Sequence, residues 1–179
     1  MGIATFLEIN GHVFSGDLGI LASYASGEED GSGFLPVMAL SRTYGYWGYT
    51  GLLTVQGPTD TGFDSDAVNI SNNGHGLTTL QIRYEGHLSS RITYHLAAGW
   101  FGNTSVPEGR SSQLGVDLMG MLTYRFNKFF ALDTGLSYAR LRDGISGYYQ
   151  GVYGGNSFTS RKGELRDKLA FFSRLQAEF

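Results

Sequence analysis

Leu169-Ala-Phe-Phe-Ser-Arg-Leu-Gln-Ala-Glu-Phe179 carries two chemistries in alternation and decides how the rest of the chain is read. One parity is Leu169, Phe171, Ser173, Leu175, Ala177 and Phe179; the other, begun one residue earlier, is Lys168, Ala170, Phe172, Arg174, Gln176 and Glu178. Successive side chains of a strand point to opposite faces, so the segment predicts a strand with one apolar face and one polar face holding both signs of charge.

The same period of two recurs upstream. Ile3, Leu7, Ile9 and Val13 alternate with Glu8, Asn10 and His12; Leu18, Ile20, Ala22 and Tyr24 follow a tight turn at residues 15–17. Leu80, Ile82 and Tyr84 oppose Gln81, Arg83 and Glu85, and Tyr94, Leu96 and Trp100 oppose His95 and Ala97. Leu114, Val116, Leu118, Leu122, Tyr124 and Phe126 oppose Asp117, Met119, Met121 and Arg125; Phe130, Leu132, Leu136 and Tyr138 oppose Asp133 and Ser137. Seven strands are expected, over 3–14, 17–26, 77–88, 91–102, 112–126, 129–142 and 168–179. Short turns (15–17, 89–90, 127–128) alternate with long, polar, glycine-containing loops over 27–75, 102–111 and 143–167. Residues 34–57 could add a strand, a hairpin or a folded excursion within one loop.

Composition agrees with a single sheet domain over 1–179. The chain has 27 glycines, 3 prolines, 23 tyrosines and phenylalanines and no cysteine, which suits tight turns and uninterrupted strands and excludes a disulfide framework or thiolate chemistry. A net charge of −3 without a basic block argues against nucleic acid as a partner. No apolar run approaches the ~20 residues of a spanning helix, so any membrane crossing is by strands. The mean hydropathy of −0.13 fits strands that face lipid on one side and polar groups on the other. A soluble barrel of the lipocalin type also alternates, with its apolar side turned inward. The low charged content, 16%, and the uniformity of the apolar parities favour an antiparallel up-and-down transmembrane β-barrel.

The closing Arg-Leu-Gln-Ala-Glu-Phe resembles the last strand of bacterial outer-membrane β-barrels. That resemblance implies location in the outer membrane, lipid as the surrounding partner, and contact with the barrel-assembly machinery through the strand ending at Phe179. Such a barrel expects a leader, and Met1-Gly2 runs straight into strand pattern, so the reading expects either its prior removal or a longer chain. Tyr24-Ala-Ser-Gly27, Phe34-Leu-Pro36, Tyr44-Gly-Tyr-Trp47, the run from Gly74 to Tyr84, and the run from Leu118 to Tyr138 resemble the C-terminal half of alginate-export-type porins. The resemblance implies a larger barrel acting as a passive, porin-like channel for small or anionic solutes. About eight strands are expected if the barrel is complete. With seven strands the chain would start outside, which a C-terminal part of a larger barrel explains.

In a barrel the polar parity faces the lumen. Glu8, His12, Arg83, Glu85, His95, Asp117, Arg125, Asp133, Arg174 and Glu178 are then pore-lining or plug residues, of mixed sign where a polyanion pore needs a cationic lumen. A small closed barrel with a salt-bridged interior and a structural or adhesive role is the alternative. Tyr24, Tyr84, Trp100, Tyr124, Phe126, Phe130, Tyr138 and Phe179 sit near strand ends on the apolar parity, as an interfacial girdle requires. His87 beside Ser89 is the one pairing suggestive of a hydrolase, but no third group orients the base. Four scattered histidines lack ligand spacing, and Glu28-Glu-Asp30 reads as a solvated loop, so neither metal, cofactor nor catalysis is expected. Tyr44 to Tyr49 reads as loop packing ahead of a sugar-stacking surface.

Overall fold

The computed structural model describes residues 2–33, 48–54, 68, 74–146 and 167–178. They form one seven-stranded antiparallel sheet: β1 (Ala4–Val13), β2 (Gly16–Ala25), β3 (Thr78–Ser89), β4 (Ile92–Gly102), β5 (Gln113–Arg125), β6 (Phe130–Leu141) and β7 (Lys168–Ala177), with one helical turn, α1 (Asp143–Ser146). Spatial order equals chain order, β1 to β7, an up-and-down meander. The strands run ten to thirteen residues each.

Three tight connections lie at one end of the sheet. Val13 pairs with Gly16 around a two-residue turn, tighter than the expected 15–17, and Phe14 takes φ +55° there. At Ser90 and Arg91 the Ser89 hydroxyl accepts from the Arg91 and Ile92 amides. Asn127 holds the third, its Oδ1 accepting from the Phe129 and Phe130 amides at 2.8 and 3.0 Å. The long connections share the opposite end. β2 pairs with β3 in unbroken register from Gly16↔Gly86 to Tyr24↔Thr78 although the whole first long loop separates them.

The pairing fixes two faces of opposite character. On one, Leu7, Ile9, Leu80, Ile82, Leu96, Leu118, Leu122, Leu136, Leu169, Phe171 and Leu175 are all exposed. Every Asp, Glu, Lys, Arg and His of the seven strands lies on the other face, except Arg140 at the long-loop end of β6. Among the described residues nothing covers the apolar face, whereas residues 48–54, Val68 and Leu77 pack over the long-loop half of the polar one. There Leu53, Leu77, Phe101 and Leu114 are fully buried.

Leu114 departs from simple alternation. Gly102 pairs with Gln113 but Phe101 with Gly115, so β5 carries one extra residue, and this bulge turns Leu114 from the apolar parity into the packed cluster. Glycines make room for rings: a Cβ at Gly99 would lie 2.8 Å from Phe101, and one at Gly135 would lie 2.6 Å from Phe172. On the apolar face Gly16 and Gly86 stand in the same relation to Tyr84 and Tyr94.

Among the described residues β1 pairs only with β2 and β7 only with β6, leaving an open sheet. In an antiparallel meander of seven, the first and last strands run in the same direction.

Candidate functional site

The polar face is built from alternate residues of every strand, and segment 48–54 lies across it as a strap. Gly48 opens the strap at φ +84°, a backbone conformation natural to glycine, where a Cβ would stand 2.7 Å from the Gln81 amide oxygen. The next residue reaches two strands at once. The Tyr49 amide donates to Gln81 Oε1 on β3 at 2.7 Å, and its hydroxyl donates to Glu8 Oε1 on β1 at 2.6 Å. The Arg83 guanidinium lies 4.9 Å from the centre of the Tyr49 ring and donates to Asn10 Oδ1 at 3.0 Å. Burial, and then the bond to Glu8, push the Tyr49 phenol up to about 12.

Further along, the Leu52 and Leu53 amides both donate to Asp117 Oδ2 on β5, at 2.8 and 2.6 Å. Thr50 and Thr54 close the strap on itself: the Thr54 hydroxyl accepts from the Thr50 amide at 3.0 Å. Asp117 is fully buried, and no cationic side chain pairs with it among the described residues. Two successive backbone dipoles are its main support, a costly arrangement for a carboxylate unless the contact is specific.

Nearer the tight turns a second buried carboxylate is satisfied by side chains alone. Asp133 accepts from the Thr123 hydroxyl at 2.6 Å, from Arg174 Nε and Nη2 at 3.0 and 2.9 Å, and from the Gln176 amide. This cluster ties β5, β6 and β7 together. Between the two carboxylates one register line crosses four adjacent strands as His12, Asp17, Glu85 and His95. His12 Nδ1 lies 3.1 Å from Asp17 Oδ1, and His95 Nδ1 lies 3.7 Å from Glu85 Oε2.

The residues expected on the polar side therefore separate into groups. Glu8, Arg83 and Asp117 meet the strap, Asp133 and Arg174 form the turn-end cluster, and His12, Glu85 and His95 share the line between. Arg125 ends β5, exposed, with its amide bonded to the Arg91 carbonyl. Glu178 follows β7, exposed, with its amide bonded to Phe129 O. Of the girdle, Tyr24, Trp100 and Tyr138 lie toward the long-loop end of the apolar face, while Tyr84, Tyr124, Phe126 and Phe130 lie toward the turn end. Tyr138 also donates to Asp167 at 2.6 Å, and Phe126 meets Tyr124 edge-on at 4.9 Å. Phe179 and Tyr44 fall outside the described residues.

His87 Nδ1 faces Thr93 Oγ1 at 3.1 Å, and Ser89 serves its own turn, so the two do not form a base–nucleophile pair. Sequence reasoning did not find the strap: its donors are backbone amides, which leave no signature in residue type. A glycine before a tyrosine within an otherwise illegible loop was the only available sign. No protein-family model, curated protein or solved structure matches the chain.

Proposed function

We propose that the chain forms the wall of a bacterial outer-membrane β-barrel that acts as a narrow passive pore for small solutes, with residues 48–54 lying inside it. The observation that carries the reading is the segregation of charge. One face of seven strands offers only apolar and small uncharged side chains between its aromatic ends, apart from Arg140, and stands bare among the described residues. Soluble monomers seldom expose apolar patches beyond roughly 300–600 Å². From Phe130 to Tyr138 is eight residues, roughly 26 Å along the strand, which tilt reduces to about 20 Å, near the height of a lipid-facing band.

In hydrocarbon every backbone group needs a partner, so the edges β1 and β7 must be joined. Because both run in one direction, an odd number of additional strands joins them by antiparallel pairing throughout, in keeping with a barrel of eight strands or a larger one. The kinship with alginate-export-type porins is part of this proposal, at the level of architecture.

A second reading, a filled barrel with a structural role, draws on the full burial of Leu53, Phe101 and Leu114 beside the strap. One experiment separates the two. The chain is refolded in detergent, its fold checked by different gel migration before and after boiling, and single-channel current recorded in a planar bilayer. Stepwise conductance is the expected result. A heat-modifiable but silent protein would establish the filled barrel, and a protein that never partitions into bilayers would sink both.

A further inference from the structure

Most of the contact between strap and wall runs one way. Glu8, Gln81 and Asp117, on β1, β3 and β5, accept from the Tyr49 hydroxyl and the amides of Tyr49, Leu52 and Leu53, while Arg83 and His95 meet Tyr49 with the opposite polarity. The strap thus occupies the wall as a donor-bearing ligand would. The fit is incomplete: Gln81 Nε2, Asp117 Oδ1 and Arg83 Nε are buried without a hydrogen-bond partner among the described residues. A wall with spare donors and a spare acceptor beneath the strap is one that a competing solute or water can invade.

The charges of that wall are also uneven. On the strands' polar face the carboxylates Glu8, Asp17, Glu85, Asp117 and Asp133 outnumber the cations Arg83, Arg125, Lys168 and Arg174 by one; Arg83 is engaged with Asn10 and Tyr49, Arg174 with Asp133, and Arg125 lies at the tight-turn end. The alginate resemblance leads one to expect the reverse, a cationic lining.

We infer that residues 48–54 are an autoinhibitory strap, held by Asp117, Glu8 and Gln81, whose withdrawal uncovers an acceptor-rich wall that passes cations in preference to anions. This deepens the pore reading and rests on it. Withdrawal replaces the strap's N–H and O–H donors by water or solute at the same three acceptors, and leaves two carboxylates, Glu8 and Asp117, facing the opened path. Two more, Asp17 and Glu85, lie two lines further toward the tight turns, beyond the line of Asn10 and Arg83.

The chain contains no cysteine, so a single reporter can be placed cleanly. Leu52→Cys keeps the backbone amide and buries a thiol at a position now 7% exposed. In the refolded full-length protein, labelling by a membrane-impermeant maleimide is expected to be slow. Adding Tyr49→Phe with Asp117→Asn should accelerate it at least tenfold. The same substitutions without the reporter should raise single-channel conductance severalfold. In a potassium chloride gradient, the reversal potential should report preference for potassium over chloride. Glu8→Gln, isosteric and bonded only through side chains to Asn10 and Tyr49, should give a smaller rise in labelling and conductance.

Unchanged labelling in every variant would overturn the strap, whatever the channel does. Faster labelling with anion-selective current would overturn the acceptor-wall assignment while leaving the pore intact. A heat-modifiable protein silent in wild type and in all variants would remove the pore reading and this inference with it.

Discussion

Two buried carboxylates in neighbouring strands show how differently one residue type can be held. Asp133 is 1% exposed and ringed by side-chain donors, so it behaves as a rivet between β5, β6 and β7. Replacing it by Asn leaves Arg174 facing an amide; since that guanidinium is about half exposed, water recovers part of the loss. Asp133→Asn should therefore cost about 2 kcal/mol, measurable by urea unfolding in detergent micelles. Asp117 instead meets backbone amides 64 and 65 residues away, and its replacement should act first on the strap and only secondarily on the sheet. Tyr49 supplies a pH signature. With the seated phenol raised above its ordinary 10.0, the neutral ring favours the seated strap. That contribution is complete below pH 10 and is lost as pH climbs toward about 12. Ultraviolet titration should show a late-ionising component that loses one phenol in Tyr49→Phe; an identical curve for the variant would contradict this placement.

At the level of elements, hairpins and glycine–ring contacts set the register. Phe14 occupies a left-handed turn conformation with its side chain 93% exposed. Phe14→Asn should relieve backbone strain and stabilise the protein in detergent by ~1 kcal/mol. A loss of stability seen only in lipid vesicles would show that the ring is anchored in the membrane interface. Gly135 lies beneath Phe172, so Gly135→Val forces the ring away from Leu21, Ala97 and Met119. A cost of about 1–3 kcal/mol is expected, read as a lowered urea midpoint with unchanged slope.

For the whole molecule the decisive feature is an apolar face left bare among the described residues and a polar face covered over its long-loop half. Leu118, on β5 near the middle of the bare face, is 45% exposed. In water Leu118→Arg would be harmless or even solubilising, whereas at the midplane of a bilayer it should cost ~2–4 kcal/mol. Folding yield into vesicles, followed by gel migration before and after boiling, should fall sharply for Leu118→Arg. It should change little for Thr93→Arg, at the turn end of the polar face. Equal tolerance at both sites would count against lipid contact.

The alternation of chemistries along the chain determined the seven strands, their approximate bounds and the face that all but a few side chains take. A strand's period of two is a local property, and a charged residue on the wrong parity would be visible at once. The tight turns were legible for the same reason, to within a residue or two. What only the tertiary structure decided depends on contacts distant in sequence. The β5 bulge that turns Leu114 inward arises from pairing with β4, so alternation alone assigned that leucine to the wrong face. The register of β2 on β3 is set across a long loop that carries little periodic signal. The strap's place on Glu8, Gln81 and Asp117 rests largely on backbone amides, groups that every non-proline residue possesses, so the fold alone selects which of them reach a buried carboxylate.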